Sequence, residues 1–92
     1  MASNFKTIRK VISTAGTPVQ IATGFGVATR CEVSAPVGNT GLVYFGNSDL
    51  SATARRSLDP GTSFSILSAI DISKMYVDGA VNGYVIEIVF YF

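Results

Sequence analysis

The chain has 92 residues, 48% of them hydrophobic and 14% charged, with seven Lys and Arg, six Asp and Glu, and no histidine. A net charge of +1 excludes a phosphate-tracking nucleic-acid surface, which needs clustered positive excess. A single cysteine excludes an intrachain disulfide and a cysteine-based zinc site.

An average soluble domain is about 25% charged, and one of this size hides only roughly 60–65% of its unfolded surface. So much apolar sequence predicts one domain over residues 1–92 whose surface is partly covered by another chain, hence a homo-oligomer. Residues 1–4 read as a polar leader without a signal-peptide apolar region. Residues 5–13, FKTIRKVIS, are β-prone but alternate poorly, because Phe5, Ile8, Val11 and Ile12 do not share one strand face. Phe5, Ile8 and Ile12 would share a helical stripe, but the segment is short and has no stop signal. Residues 1–13 are therefore expected to hold an edge strand or an arm, and Lys6, Arg9 and Lys10 suit an exposed edge.

Residues 14–18 read as a turn, 19–22 as a short strand, and 23–26 as a second turn with Phe25 between two glycines. Residues 27–35 alternate best: Val27, Thr29, Cys31, Val33 and Ala35 point one way, Ala28, Arg30, Glu32 and Ser34 the other. Residues 42–45 form an apolar strand stopped by Gly46-Asn47-Ser48-Asp49. Residues 48–58 read as an irregular polar loop carrying Arg55 and Arg56, a pair that is either solvated or aimed at a phosphate or an acidic partner. Asp59-Pro60-Gly61 is a turn, since proline presets its first central residue and glycine accepts positive φ at the second. Residues 62–66 alternate as a strand, and Asp71 caps a single helical turn over 71–74. Residues 75–77 form a short strand, and Asp78-Gly79 competes with Asn82-Gly83 for a hairpin turn.

Residues 84–92 close the sequence as a long strand. Tyr84, Ile86, Ile88, Phe90 and Phe92 face one way, and Val85, Glu87, Val89 and Tyr91 the other. Apolar on both faces, this strand is expected to contact its own core and a neighbouring subunit, with Phe90, Tyr91 and Phe92 at the subunit contact. It falls well short of the ~20 apolar residues of a membrane-spanning helix, so no membrane partner is expected.

About seven or eight short strands with turns between them predict an all-β fold: an antiparallel β-sandwich, jelly-roll-like or Ig-like. Val27, Cys31, Val33, Leu42, Tyr44, Phe64, Ile66, Val77, Ile86 and Ile88 are the expected core. Without histidine, the usual base of serine or cysteine nucleophilic catalysis is absent. The carboxylates lie in turns or on outward strand positions, with no spacing that predicts a shared cleft. Gly24-Phe25-Gly26 lacks the pattern of a nucleotide loop, and no acidic run resembles a calcium loop. No catalytic residue, metal or cofactor is expected, and the chain reads as a non-enzyme.

Four stretches in this order, VISTAGTPVQIA, a strand around Cys31, NTGLVYFGNSDLSATARRSLDPGTSFSI and DISKMYVDG, resemble small virion proteins of tailed phages. The resemblance spans most of the chain. It implies a β-sandwich decoration (cement) protein, made in the host cytoplasm and placed on the capsid surface. As its partners it implies a trimer of the chain and the major capsid protein. On that reading Phe5 and Ile8 anchor the arm on the capsid, and Lys6, Arg9 and Lys10 meet an acidic rim. Arg55 and Arg56 of the loop form a second contact. The alternative is a head-fibre or tail module that binds a host receptor or glycan. Its four tyrosines could serve such a site, although tryptophan, the favoured sugar platform, is absent.

Overall fold

The computed structural model describes residues 4–22, 26–51 and 53–92. The expectations for the leader before Asn4 and for the Phe25 loop tip lie outside the described residues. The described residues hold ten strands, more than the seven or eight expected because several are only two residues long: β1 (Phe5–Val11), β2 (Val19–Gln20), β3 (Val27–Ala28), β4 (Arg30–Ser34), β5 (Val43–Gly46), β6 (Arg56–Leu58), β7 (Ser63–Ile66), β8 (Ile70–Asp71), β9 (Tyr76–Gly79) and β10 (Val85–Tyr91). Sheet A has the order β1-β10-β4-β7 and sheet B the order β2-β9-β5-β6, while β3 and β8 form a separate ribbon. Every pairing is antiparallel. The fold is the all-β, sandwich-like architecture that the strand and turn spacing predicts.

One apolar cluster joins the sheets. Sheet A contributes Cys31, Val33, Ile86, Ile88 and Phe90, and sheet B contributes Val43, Phe45, Leu58 and Val77. Phe45 of sheet B meets Phe64 of sheet A with ring centroids 5.8 Å apart. Alternation in β10 is as read from the sequence, with Ile86, Ile88 and Phe90 inward and Val85, Glu87, Val89 and Tyr91 half-buried on the outer face.

Two core expectations are corrected. Val27 is 60% exposed, because the strand breaks at Thr29. The Thr29 amide and hydroxyl both donate to the Tyr91 carbonyl, at 2.7 and 2.9 Å. The break shifts the side-chain phase, so that Ala28 and Cys31 are both buried although three residues apart. In β5, Val43 and Phe45 join the cluster between the sheets; Tyr44 is buried as expected, 8% exposed, but on the outer face of sheet B, and Leu42 is half-buried before the strand.

Residues 47–51 and 53–55 cover that outer face. Leu50 folds over Gly46, where a Cβ would stand 3.1 Å from the Leu50 methyl and 3.3 Å from the Ala54 carbonyl oxygen. The irregular loop expected up to residue 58 ends earlier, since Arg56–Leu58 forms the edge strand of sheet B.

The Asp59-Pro60-Gly61 turn forms as predicted, with Gly61 at φ 79° and Thr62 N–H donating to the Asp59 carbonyl at 3.1 Å. It leads from sheet B to sheet A. Asp71 accepts from the Ser73 amide and hydroxyl at 3.0 and 2.7 Å, capping one turn of 3₁₀ helix, Ile72–Lys74. Of the two rival turns, Asn82-Gly83 is used, with Gly83 at φ 91°, while Gly79 belongs to β9. The turn is no hairpin, because β9 and β10 belong to different sheets.

Two buried polar side chains hold loops to strands. Asn39, 5% exposed, donates through Nδ2 to the Val85 carbonyl at 2.7 Å and accepts through Oδ1 from the Val85 amide at 2.9 Å. Asp78, 7% exposed, accepts through Oδ1 from the amides of Gly16 and Gly79, at 3.0 and 2.8 Å.

Candidate interaction surface

Residues expected to meet a partner fall on three separate surfaces. Among the described residues β1 is the edge of sheet A, paired with β10 alone. Its odd residues Phe5, Thr7, Arg9 and Val11 lie on the outer face. Its even residues turn toward the sandwich, where Ile8 packs against the core. Phe5 and Ile8 therefore cannot anchor one partner together, because alternation puts them on opposite faces.

The register aligns outer-face side chains in rows across the strands. Phe5 stands beside Tyr91, and Tyr91 beside Arg30; Thr7, Val89, Glu32 and Ser65 form the next row; Arg9, Glu87, Ser34 and Ser63 the third. In the first row the Phe5 and Tyr91 rings are 6.4 Å apart, and the Arg30 guanidinium sits 4.4 Å from the centre of the Tyr91 ring. An aromatic held between a ring and a cation is a pre-ordered, amphipathic contact element. The outward position of Arg30 was legible from the sequence. Its place beside Tyr91 depends on a register that spans sixty residues.

Of the C-terminal residues expected at a subunit contact, Phe90 has no exposed surface and belongs to the core. Even numbering on β10 means inward, so this expectation is corrected. Tyr91 lies in the outer row, and Phe92 is 42% exposed, its amide donating to the Asn4 carbonyl at 2.9 Å.

Arg55 and Arg56 do not form one basic patch. The Arg55 guanidinium lies 3.6 Å from the centre of the Tyr44 ring on the outer face of sheet B. Arg56 reaches across the open side of the sandwich to lie 4.3 Å over Phe64. Each is a stacked lid on an aromatic ring, a role the dipeptide alone does not reveal. Beside Arg55 is an open cavity of about 350 Å³ lined by Gly16, Pro18, Leu50, Ser51, Arg55 and Asp78.

Burial pushes the Cys31 thiol up to about 11, suppressing the thiolate. Among the described residues no group of three or more His, Cys, Asp or Glu could hold a metal ion, and no helix is long and apolar enough to cross a membrane.

The fold and surface define a two-sheet β protein with an ordered aromatic–cationic face and one long open edge. No protein-family model and no curated protein matches the chain. Among solved structures it is similar to a Bacillus protein described in the words "Bacillus endospore appendages form a novel family of disulfide-linked pili". The match has a TM-score of 0.57 at 13% identity and covers 97% of this chain and 86% of that one. At that identity the likeness concerns the fold.

Proposed function

We propose that this chain is a non-enzymatic structural subunit that acts by holding protein surfaces together, and specifically a decoration protein of a phage head. The observation that carries the structural reading is the seven-residue open edge of β1 beside the Phe5–Tyr91–Arg30 row. An uncovered edge is a template for another chain, and its three cations restrict which chain is admitted. The fold neighbour, an appendage protein, supports an assembly role. The virion placement rests on the sequence stretches that resemble phage decoration proteins, with the major capsid protein as partner and the capsid surface as location. Linked weak contacts suffice for bridging.

Covalent linkage of the kind named for the fold neighbour has no counterpart here, since the single cysteine is 2% exposed. Association between copies is non-covalent in this reading, three copies forming the unit that meets the capsid.

The test mixes the purified protein with undecorated phage heads and follows co-sedimentation and electron microscopy. Saturable binding at regular lattice positions, with added resistance of the heads to heat, is the expected result. Filaments of the protein alone, with no affinity for heads, would replace the capsid placement by an appendage role. A protein that neither self-associates nor binds heads would end the structural reading.

A further inference from the structure

The two open edges of sheet A fit one another. On β1, the pairs at either end show which backbone groups are used: the Phe92 amide donates to the Asn4 carbonyl, and the Ile12 amide to the Tyr84 carbonyl. In an antiparallel ladder these groups alternate, so even residues of β1 bond to β10 and odd residues point to the open edge. On β7, the Ala35 amide donates to the Thr62 carbonyl, and Phe64 and Ile66 stand opposite Val33 and Cys31. Even residues of β7 thus bond to β4, and Ser63 and Ser65 present their amides and carbonyls outward. At both edges the open groups belong to residues whose side chains lie on the outer face. Four alternating strands also make β1 and β7 run in opposite directions.

We propose that copies of this chain join head to tail through sheet A, with β1 of one copy pairing with β7 of the next. This rests on the reading that copies associate, and it names the surfaces. A shift by one sheet width, about 19 Å at ~4.8 Å per strand, sets the two strands antiparallel with inner and outer faces preserved. The register that continues all three rows without a slip places Phe5 opposite Leu67, Thr7 opposite Ser65 and Arg9 opposite Ser63. Phe5 and Leu67 are 65% and 78% exposed in the single chain and cover each other at the seam.

Charge selects this pairing over the symmetric one. β1 carries Lys6, Arg9 and Lys10, and although Glu87 of β10 stands beside Arg9, pairing β1 with its own copy brings the lysines of both strands into one seam. Centred on Ile8, that pairing also sets Lys6 opposite Lys10 twice, and like charges directly opposite are destabilising. β7 carries no charge. Its serines are short enough for the incoming Arg9 to reach over them toward Glu32, which stands beside Ser65 on β4. A head-to-tail contact closes into a ring where its rotation allows and otherwise continues as a filament.

Cysteine cross-linking tests the seam. Phe5→Cys and Leu67→Cys are made separately, in chains that keep the buried Cys31, and the two proteins are refolded together under mild oxidant. Directly opposed residues on paired strands lie within disulfide range. The expected result is a disulfide-linked pair from the mixture, multimers from the double variant, and little product from either single variant alone. Thr7→Pro then removes an amide hydrogen that faces the open edge and leaves the β1–β10 bonds intact, a substitution edge strands accept. It should leave the circular dichroism spectrum unchanged and lower the cross-linked yield roughly tenfold. The symmetric pairing sets Phe5 opposite Val11, so a Val11→Cys protein linking to Phe5→Cys as readily as Leu67→Cys does would overturn the proposal in favour of symmetric pairing. An oligomer by light scattering that gives no Phe5–Leu67 product would overturn the seam while leaving self-association in place. A monomer throughout would overturn both.

Discussion

Replacing Asn39 measures how much one side chain contributes by standing in for a stretch of strand. Odd residues of β10 direct their backbone groups toward β4, and the register that pairs Glu87 with Ser34 would set Val85 against Pro36. Proline has no amide hydrogen to donate, so the ladder would leave the Val85 carbonyl unpaired. The turn after Pro36, closed by the Asn39 amide donating to the Pro36 carbonyl at 3.1 Å, swings the Asn39 side chain into the gap. There it satisfies both the amide and the carbonyl of Val85. Asn39→Ala orphans both groups at about 1–3 kcal/mol each. Because Val85 is only half-buried, the expected total is about 2–4 kcal/mol.

Asn39→Asp separates the two bonds. A carboxylate still accepts from the Val85 amide but faces the Val85 carbonyl with a second negative oxygen; once protonated, it can donate to that carbonyl. The folded-state pKa of this aspartate is thus raised above the ordinary value of about 3.9. The added stability is full below the unfolded pKa and is lost as pH rises through the folded one. Urea unfolding followed by circular dichroism, with the Asp and Ala variants compared at each pH, removes the background acid sensitivity. Asn39→Asp should exceed Asn39→Ala clearly near pH 3.5 and lose most of that advantage by pH 7. An alanine variant within about 0.5 kcal/mol of the parent protein would refute the stand-in role.

Phe90→Ala should cost about 3–5 kcal/mol in chemical denaturation and Phe92→Ala less than about 1 kcal/mol; equal costs would contradict the division between core and strand end. Cys31 should react with a thiol reagent at pH 8 only at the rate of unfolding, and rapid stoichiometric labelling of the folded protein would show the thiol to be accessible. The Ser73 hydroxyl and amide hold the Asp71 carboxyl below its usual range. Its contribution is therefore present above the unfolded pKa and fades as pH falls through the folded one. Asp71→Asn should flatten this part of the acid-unfolding profile, and an unchanged profile would count against the cap.

The legible parts of the fold were those whose pattern repeats along one strand. β10 and residues 31–35 alternate over enough positions for their inner faces to be read directly. Residues 42–45 are apolar at every position, so nothing local distinguished Tyr44 from Phe45; the Arg55 lid that lets Tyr44 face outward arrives from another segment. The break at Thr29 was hidden because a threonine inside an alternating run looks like any other strand residue. Arg55 and Arg56 read as a pair only until strand geometry sends neighbours to opposite sides. The cationic edge of β1 was visible in FKTIRKVIS. The row that completes it, Tyr91 and Arg30, requires strands far apart in sequence to pair.

That long-range pairing also governs when the protein can form. β10 lies between β1 and β4, so sheet A has no centre until residues 85–91 have been synthesised. β1 then waits without its partner until β10 has been made, while β4 and β7 offer a half-sheet with an open slot. Such non-local pairing belongs to the slow class of topologies, folding over about milliseconds to seconds. Nascent chains crowded on one message would hold many vacant slots at once, and a finished β10 fits the slot of a neighbouring chain as well as its own. Dilution during synthesis should therefore raise the share of chains that close on themselves.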